Sequence, residues 1–282
     1  MMKAIKKPEN FIISDLKWKF LIRNILKNKN TLITGPSGFG KTLLVQLAAE
    51  QLSPQFKFFI IPMGSTQDPR SSLIGNTHYE KNSGTYFVES FFIKAIQTPN
   101  SIILLDEINR GHLESSNILI PITDYNTRYI RLDESPDTPL IHVAENVSFI
   151  ATCNIGLEYS GTKALDRALL TRFLKFEIDF PTFEEEVLFL KTSFGNVDKK
   201  IIESIVKIAH FTRDDVRSED SRLSNLIPVK TTLEIVSLIE DGFALSEIAE
   251  LMIYPMFPDE GGCDSERVFV KQIVQKYLPV KK

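Results

Sequence analysis

Cysteine is nearly absent from this chain: Cys153 and Cys263 are the only two among 282 residues. Two thiols cannot build a disulfide framework, so reduced thiols in a cytosolic compartment are expected. Histidine is almost as scarce, at positions 78, 112, 142 and 210. None of the four has metal-ligand spacing to another His or Cys, so they read as structural or surface residues rather than zinc ligands. No apolar run approaches 18 residues, so no transmembrane helix and no membrane partner are expected. Met1–Pro8 carries charge but no apolar stretch of signal-peptide length, and the expected location is cytoplasmic. Net charge is small, −3 from 33 Lys and Arg against 36 Asp and Glu. Nucleic acid therefore has no electrostatic footprint in the whole chain, although a local basic patch would not register in a net charge. Internal repeats and low-complexity segments are also lacking. Apolar residues are plentiful, 43% of the chain, enough for one large α/β domain plus a smaller one.

One stretch organises the rest. Gly35-Pro36-Ser37-Gly38-Phe39-Gly40-Lys41-Thr42 fits G-x-x-x-x-G-K-[ST]. The β-prone Thr31–Thr34 precedes it and an apolar helical pattern from Leu43 to Leu52 follows, which is the context the motif requires. Its glycines let successive backbone N–H groups turn toward a polyphosphate, and the helix N-terminus adds partial positive charge. Lys41 can reach the β- and γ-phosphates, and Thr42 can offer its hydroxyl to Mg²⁺. The expected phosphate-binding set runs from Gly35 through Leu43.

Taken in order, residues 1–13 read as a loose arm, and Ser14-Asp15 caps a helix that includes Leu16, Phe20 and Ile25. Lys57–Pro62 is a near-continuous apolar run, predicted to be a strand buried on both faces. Asn82-Ser83-Gly84 marks the turn of a small hairpin at 77–88. A helix from Ser90 to Gln97 precedes Ser101–Leu105, the clearest buried-strand signal in the chain. Beyond a helix over 112–123, Arg128–Leu132 and Leu140–Val143 flank a polar tip and predict a second hairpin. Val147–Thr152 is another strand, followed by a helix around Ala164–Leu170 and a strand over 173–180. From Thr182 onward every segment has helical spacing: Phe183–Thr192, Lys199–His210, Lys230–Ile239, Leu245–Ile253 and Glu266–Tyr277. The polar Arg213–Ser224 separates two of these helices. The predicted boundary lies near Pro181, with an α/β domain over 1–181 and a helical domain over 182–282.

Three further features carry chemistry. Leu104-Leu105-Asp106-Glu107 brings two acids to the end of an apolar strand, beside the phosphate loop of a neighbouring strand. Asp106 would hold Mg²⁺, and Glu107 would polarise the attacking water as general base. Asn154 ends the next strand and is placed to hydrogen-bond that water or the γ-phosphate. Leu165–Phe173 carries Arg167 and Arg172, either of which can point toward a neighbouring subunit and neutralise transition-state charge there.

In this order, Gly35–Thr42, Leu104–Arg110, Asn154 and Ala164–Phe173 resemble the AAA+ ATPases, and more closely their MoxR/dynein-related branch with its CbbQ- and GvpN-type members. Leu105–Arg110 resembles the branch's Walker B signature, Ala151–Gly156 its sensor 1 segment, and Asp166–Phe173 the run before its last core strand. The two hairpins fall where the branch carries its helix-2 insert and pre-sensor-1 hairpin. The resemblance implies a P-loop NTPase αβα sandwich with a parallel sheet, followed by a small all-helical lid. It also implies ATP and Mg²⁺, hydrolysis by a homo-oligomeric ring, usually a hexamer, and remodelling of a partner protein or adaptor. In many relatives that partner carries a metal-dependent adhesion domain. By match Arg172 is the arginine finger and Arg167 the second candidate, although Thr171 stands where an Asp is common. The lid arginine of the branch is matched by Lys230, with Arg222 as a rival; lysine keeps the charge without the planar fork. Asp106–Gly111 also resembles the GTP-dependent restriction motor McrB, an alternative without that family's pattern after Asn154. A third reading is a nucleotide-dependent switch subunit without turnover. The full set of Lys41, Thr42, Asp106 and Glu107 argues against that one.

Overall fold

The structure is a computed structural model that describes residues 5–65, 68–81, 84–132, 140–154 and 165–277. Asn82 and Ser83, the hairpin tip 133–139, the loop with Gly156 and Gly161, and the expected helix start at Ala164 lie outside the described residues. The chain divides into two compact units. One is formed by Met1–Pro8, Ile13–Pro36 and Lys41–Ile178, the other by Glu9–Ile12, Ser37–Gly40 and Asp179–Lys282.

The first unit begins with α1 (Asp15–Leu26), capped by the Ser14 hydroxyl, which accepts from the Lys17 N–H. Its buried stripe is Trp18, Leu21, Ile22 and Ile25, spaced by three and four residues as one helix face requires. β1 (Thr31–Gly35) then leads through the phosphate loop into α2 (Lys41–Leu52), and β2 (Lys57–Pro62) follows. Next come α3 (Pro69–Leu73), the hairpin of β3 (Gly75–Glu80) and β4 (Gly84–Glu89), and α4 (Phe91–Ile96). β5 (Ser101–Asp106), α5 (Leu113–Thr123) and the hairpin of β6 (Tyr129–Arg131) and β7 (Leu140–His142) complete the middle. β8 (Val147–Asn154), α6 (Arg167–Leu170) and β9 (Leu174–Glu177) close the unit.

Five strands form one parallel sheet in the order β2-β5-β8-β1-β9. The central strands are apolar on both faces because helices cover both: β1 is buried throughout, and β5 is buried except at Asp106. Two expectations change here. Lys57–Pro62 is an edge strand with only Ile61 fully buried; Phe59 packs edge-on to Phe91, at 5.6 Å between centroids. An apolar run alone does not distinguish an edge strand covered by one helix from a central strand. The acid-bearing β5 is also not the neighbour of β1, because β8 lies between them.

In the second unit Thr182 caps α7 (Phe183–Ser193) in a reciprocal capping box with Glu185. α8 (Lys199–Arg217), α9 (Val229–Glu240), α10 (Leu245–Ile248) and α11 (Glu266–Tyr277) follow. The α10 pattern continues as a π-type turn over Ala249–Ile253. α8 runs two turns past the predicted end at His210, because Arg213 finds a buried partner and the polar segment therefore stays helical. Leu190, Ile202, Val206, Val236, Ile248 and Val270 are among the side chains that fill this unit's own core.

Candidate functional site

The C-terminal ends of β1, β5 and β8 lie side by side, with Gly35 in register with Asn154 and Leu105 with Ala151. In parallel sheets this edge is where ligands bind. The phosphate loop passes close to its neighbours. A methyl group on Gly35 would come within 2.3 Å of the Ile178 carbonyl oxygen, so only glycine fits there. Gly38 and Gly40 take positive φ, 72° and 89°, the left-handed region that favours glycine.

Lys41 opens α2 and is buried, with 6% of its surface exposed. Its Nζ donates to the carbonyls of Gly35, at 2.9 Å, and Pro36, at 2.7 Å. Burial pulls its ammonium down to about 8, an effect partly offset by Cys153, Glu107 and Asp106. Burial also pushes the Cys153 thiol up.

The Asp106 Oδ1 accepts from the Thr42 hydroxyl at 2.8 Å and from the Thr152 hydroxyl at 2.6 Å. Thr152 in turn accepts from the Glu107 N–H at 2.9 Å. Thr42 and Asp106 thus bring two hard oxygen donors together, a pair suited to Mg²⁺. Among the described residues no cluster of three or more His, Cys, Asp or Glu could hold a metal. A Mg²⁺ here would share its ligands with phosphate oxygens, which is how this ion is commonly held.

Glu107 has φ +54°, which turns its side chain out of the strand line. Its Oε1 accepts from the Asn154 amide at 2.9 Å, and its Oε2 pairs with Arg110 at 3.1 Å. Asn109 donates to the Asn154 carbonyl at 3.1 Å and ties the turn after Glu107 to the end of β8. Thr42, Asp106, Glu107 and Asn154, each expected from sequence, therefore form one hydrogen-bonded cluster, and Lys41, beside Thr42 in sequence, interacts electrostatically with Asp106 and Glu107. Thr152 and Arg110 were not expected. Thr152 stands two residues before Asn154, on the same face of the strand, and that spacing was a usable signal.

The remaining candidates take no part in these hydrogen bonds. Arg172 pairs with Asp124 at 3.1 Å, and its guanidinium also donates to the Ala168 carbonyl. The Asn126 N–H, together with the Arg172 charge, holds Asp124 below the usual carboxylate range. Arg167, the first residue of α6, is exposed. Leu43 is partly exposed on the first turn of α2. In the second unit Lys230 is exposed on the first turn of α9, two residues after Pro228. The Arg222 guanidinium lies over Phe269 of α11, 5.2 Å from the ring centroid.

The chain is similar to several known proteins. The profile of the AAA domain (dynein-related subfamily) matches residues 30–173. The candidate chaperone BssE of Thauera aromatica is 35% identical over 222 residues, covering 77% of this chain and 72% of that protein. A Staphylococcus epidermidis protein is 28% identical over 257 residues, covering 84% of this chain and 92% of its own length. Among solved structures, a RuvB variant from Thermotoga maritima superposes with a TM-score of 0.56 at 15% identity, over 92% of this chain and 76% of that one. At that identity the likeness speaks for the fold alone.

Proposed function

Given that the chain belongs to the dynein-related subfamily of AAA domains, we propose that it binds and hydrolyses ATP with Mg²⁺ and works as a ring subunit that remodels or helps assemble a partner protein. The observation that carries the chemistry is the unbroken chain of hydrogen bonds from Thr42 through Asp106, Thr152 and Glu107 to Asn154. It joins a phosphate-holding motif to a carboxylate held for proton abstraction. The candidate chaperone among the relatives supports remodelling as the use of that chemistry.

In this reading Gly35–Leu43 cradle the phosphates, and Lys41 leaves the Gly35 and Pro36 carbonyls to meet phosphate charge. Thr42 and Asp106 would hold Mg²⁺, which would supply neutralisation of phosphate charge. Glu107 takes the proton of the attacking water, and Asn154 orients Glu107 and that water. Lys230 is the lid cation for the γ-phosphate. Of the two arginines offered in trans, Arg167 has the better claim. Its side chain is exposed, whereas that of Arg172 is engaged by Asp124 and Ala168 within its own subunit.

Three measurements test this proposal. Lys41→Ala abolishes Mg-ATP binding, and wild-type protein that binds no nucleotide refutes the phosphate-loop assignment. Phosphate release with ATP against GTP separates this reading from a GTP-driven motor. Mixing Arg167→Ala with Glu107→Gln subunits, each inactive alone, restores turnover; no recovery with either arginine variant removes the trans role.

A further inference from the structure

The tip of the phosphate loop, Ser37–Gly40, belongs to the second unit and is gripped within it at two points. Phe39 is buried edge-on between Phe11 of the N-terminal arm, at 5.8 Å between centroids, and Phe180, at 6.5 Å. Gly38 lies against the Pro228 ring, so closely that a methyl group on Gly38 would come within 2.6 Å of the Pro228 Cβ. Arg213 reaches both grips, and Arg217 also lies over Phe180, 5.2 Å from its centroid. The Arg213 guanidinium lies over Phe180, 4.6 Å from the ring centroid. Its Nε donates to the Ile227 carbonyl at 2.8 Å, one residue before Pro228.

Arg213 is 2% exposed and takes part in a network that holds it rigidly. Nη1 and Nη2 donate to the two oxygens of Glu186, at 2.6 and 3.1 Å, and Glu186 is itself fully buried. Glu186 also accepts from the Thr232 hydroxyl at 2.6 Å and contacts His210 Nε2 at 3.1 Å. The Ile227 N–H is held as well, by the Thr212 hydroxyl at 3.0 Å. A buried ion pair is costly unless its remaining hydrogen-bonding capacity is used, and here it is used on Ile227 and Thr232. Hydrophobic residues could supply stability alone. A planar fork that reaches a carbonyl while stacking on a ring supplies geometry.

We infer that Arg213 is a positioning residue for the phosphate loop, acting through Phe180 on Phe39 and through Ile227–Pro228 on Gly38. The inference rests on the reading of Gly35–Thr42 as a nucleotide site. Arg213 preorganises the loop so that binding does not carry the cost of ordering its tip.

The test uses the full chain, Mg-ATP titration and thermal melts in the same buffer. Arg213→Lys keeps a charge beside Glu186 but loses the fork, and it raises the ATP Kd about tenfold while the melt stays cooperative. Pro228→Ala and Phe39→Leu each break one grip and leave the Glu186–Arg213 pair whole. Each raises Kd severalfold, and combining either with Arg213→Lys gives less than the product of the single effects. If Arg213→Lys lowers Tm but leaves Kd unchanged, Arg213 is a structural residue only and the inference is overturned. If Arg213→Lys does not fold, Pro228→Ala and Phe39→Leu decide: wild-type Kd in both overturns it. Lys41→Ala separates the two levels. Undiminished binding in that variant refutes the nucleotide site itself. Lost binding there, with wild-type Kd in the grip variants, refutes only the role of Arg213.

Discussion

Titrating ATP binding between pH 7 and 9 reads the protonation of Lys41. In the folded chain burial brings this ammonium from 10.5 down to about 8. Contact with polyphosphate charge favours the protonated form and restores the higher value. Binding above pH 8 therefore takes up a proton, and affinity falls as pH rises. With a free-state value of about 8, the fraction lacking the proton is about 0.1 at pH 7 and about 0.9 at pH 9, so Kd rises about tenfold across this range. At pH 8.5 binding takes up about 0.75 proton, which calorimetry in buffers of different ionisation enthalpy measures directly. The same group affects folding with a definite sign. Its folded value lies below its unfolded one, so its burial cost is fully present below about pH 8 and is relieved as pH rises toward 10.5. A Kd that is flat from pH 7 to 9, with no proton uptake at pH 8.5, would refute the reasoning.

Other outcomes follow from the same geometry. Burial alone would push the Glu186 carboxyl up, but His210, Arg213 and Thr232 outweigh it and bring it to about 2. The stability this group contributes is present above its ordinary value of 4.5 and is lost as pH falls from there toward 2, so urea midpoints drop steeply over that window. Glu186→Gln leaves Arg213 buried without a charge partner and costs about 3–5 kcal/mol at pH 7 in the same assay. Thr152→Val keeps the side-chain shape but removes the hydroxyl between Asp106 and the Glu107 N–H. It lowers kcat about tenfold with ATP affinity nearly unchanged; a wild-type kcat would remove Thr152 from the site. Gly35→Ala forces a methyl group onto the Ile178 backbone and lowers Tm by about 5 °C or more. An unchanged melt would mean the loop relaxes freely.

Local chemistry made much of this legible from the sequence. The phosphate loop announces itself because glycine, lysine and threonine are needed at fixed offsets, and Asp106-Glu107 stands out because acids end an otherwise apolar run. The capping residues Ser14 and Thr182 mark their helices for similar local reasons. What stayed hidden depends on long-range pairing. The order β2-β5-β8-β1-β9 places β8 between the loop strand and the acid strand, and no local pattern encodes that insertion. Lys57–Pro62 has the composition of a central strand but lies at the edge. Arg213 sits in a polar run that reads as a linker. Its partners, Glu186 27 residues earlier among them, make it a buried helical residue. The match to a family motif placed Arg172 ahead of Arg167, and the Asp124 contact that engages Arg172 is invisible until α5 and α6 are seen together.

The most direct measurement of the central claim is phosphate release from Mg-ATP by the wild type and by Glu107→Gln, with ATP binding measured in parallel. Catalysis by Glu107 predicts that the variant binds ATP within about twofold of wild type and releases phosphate about a hundredfold or more slower. Release at the wild-type rate by Glu107→Gln, or no release by wild-type protein saturated with ATP, would contradict it.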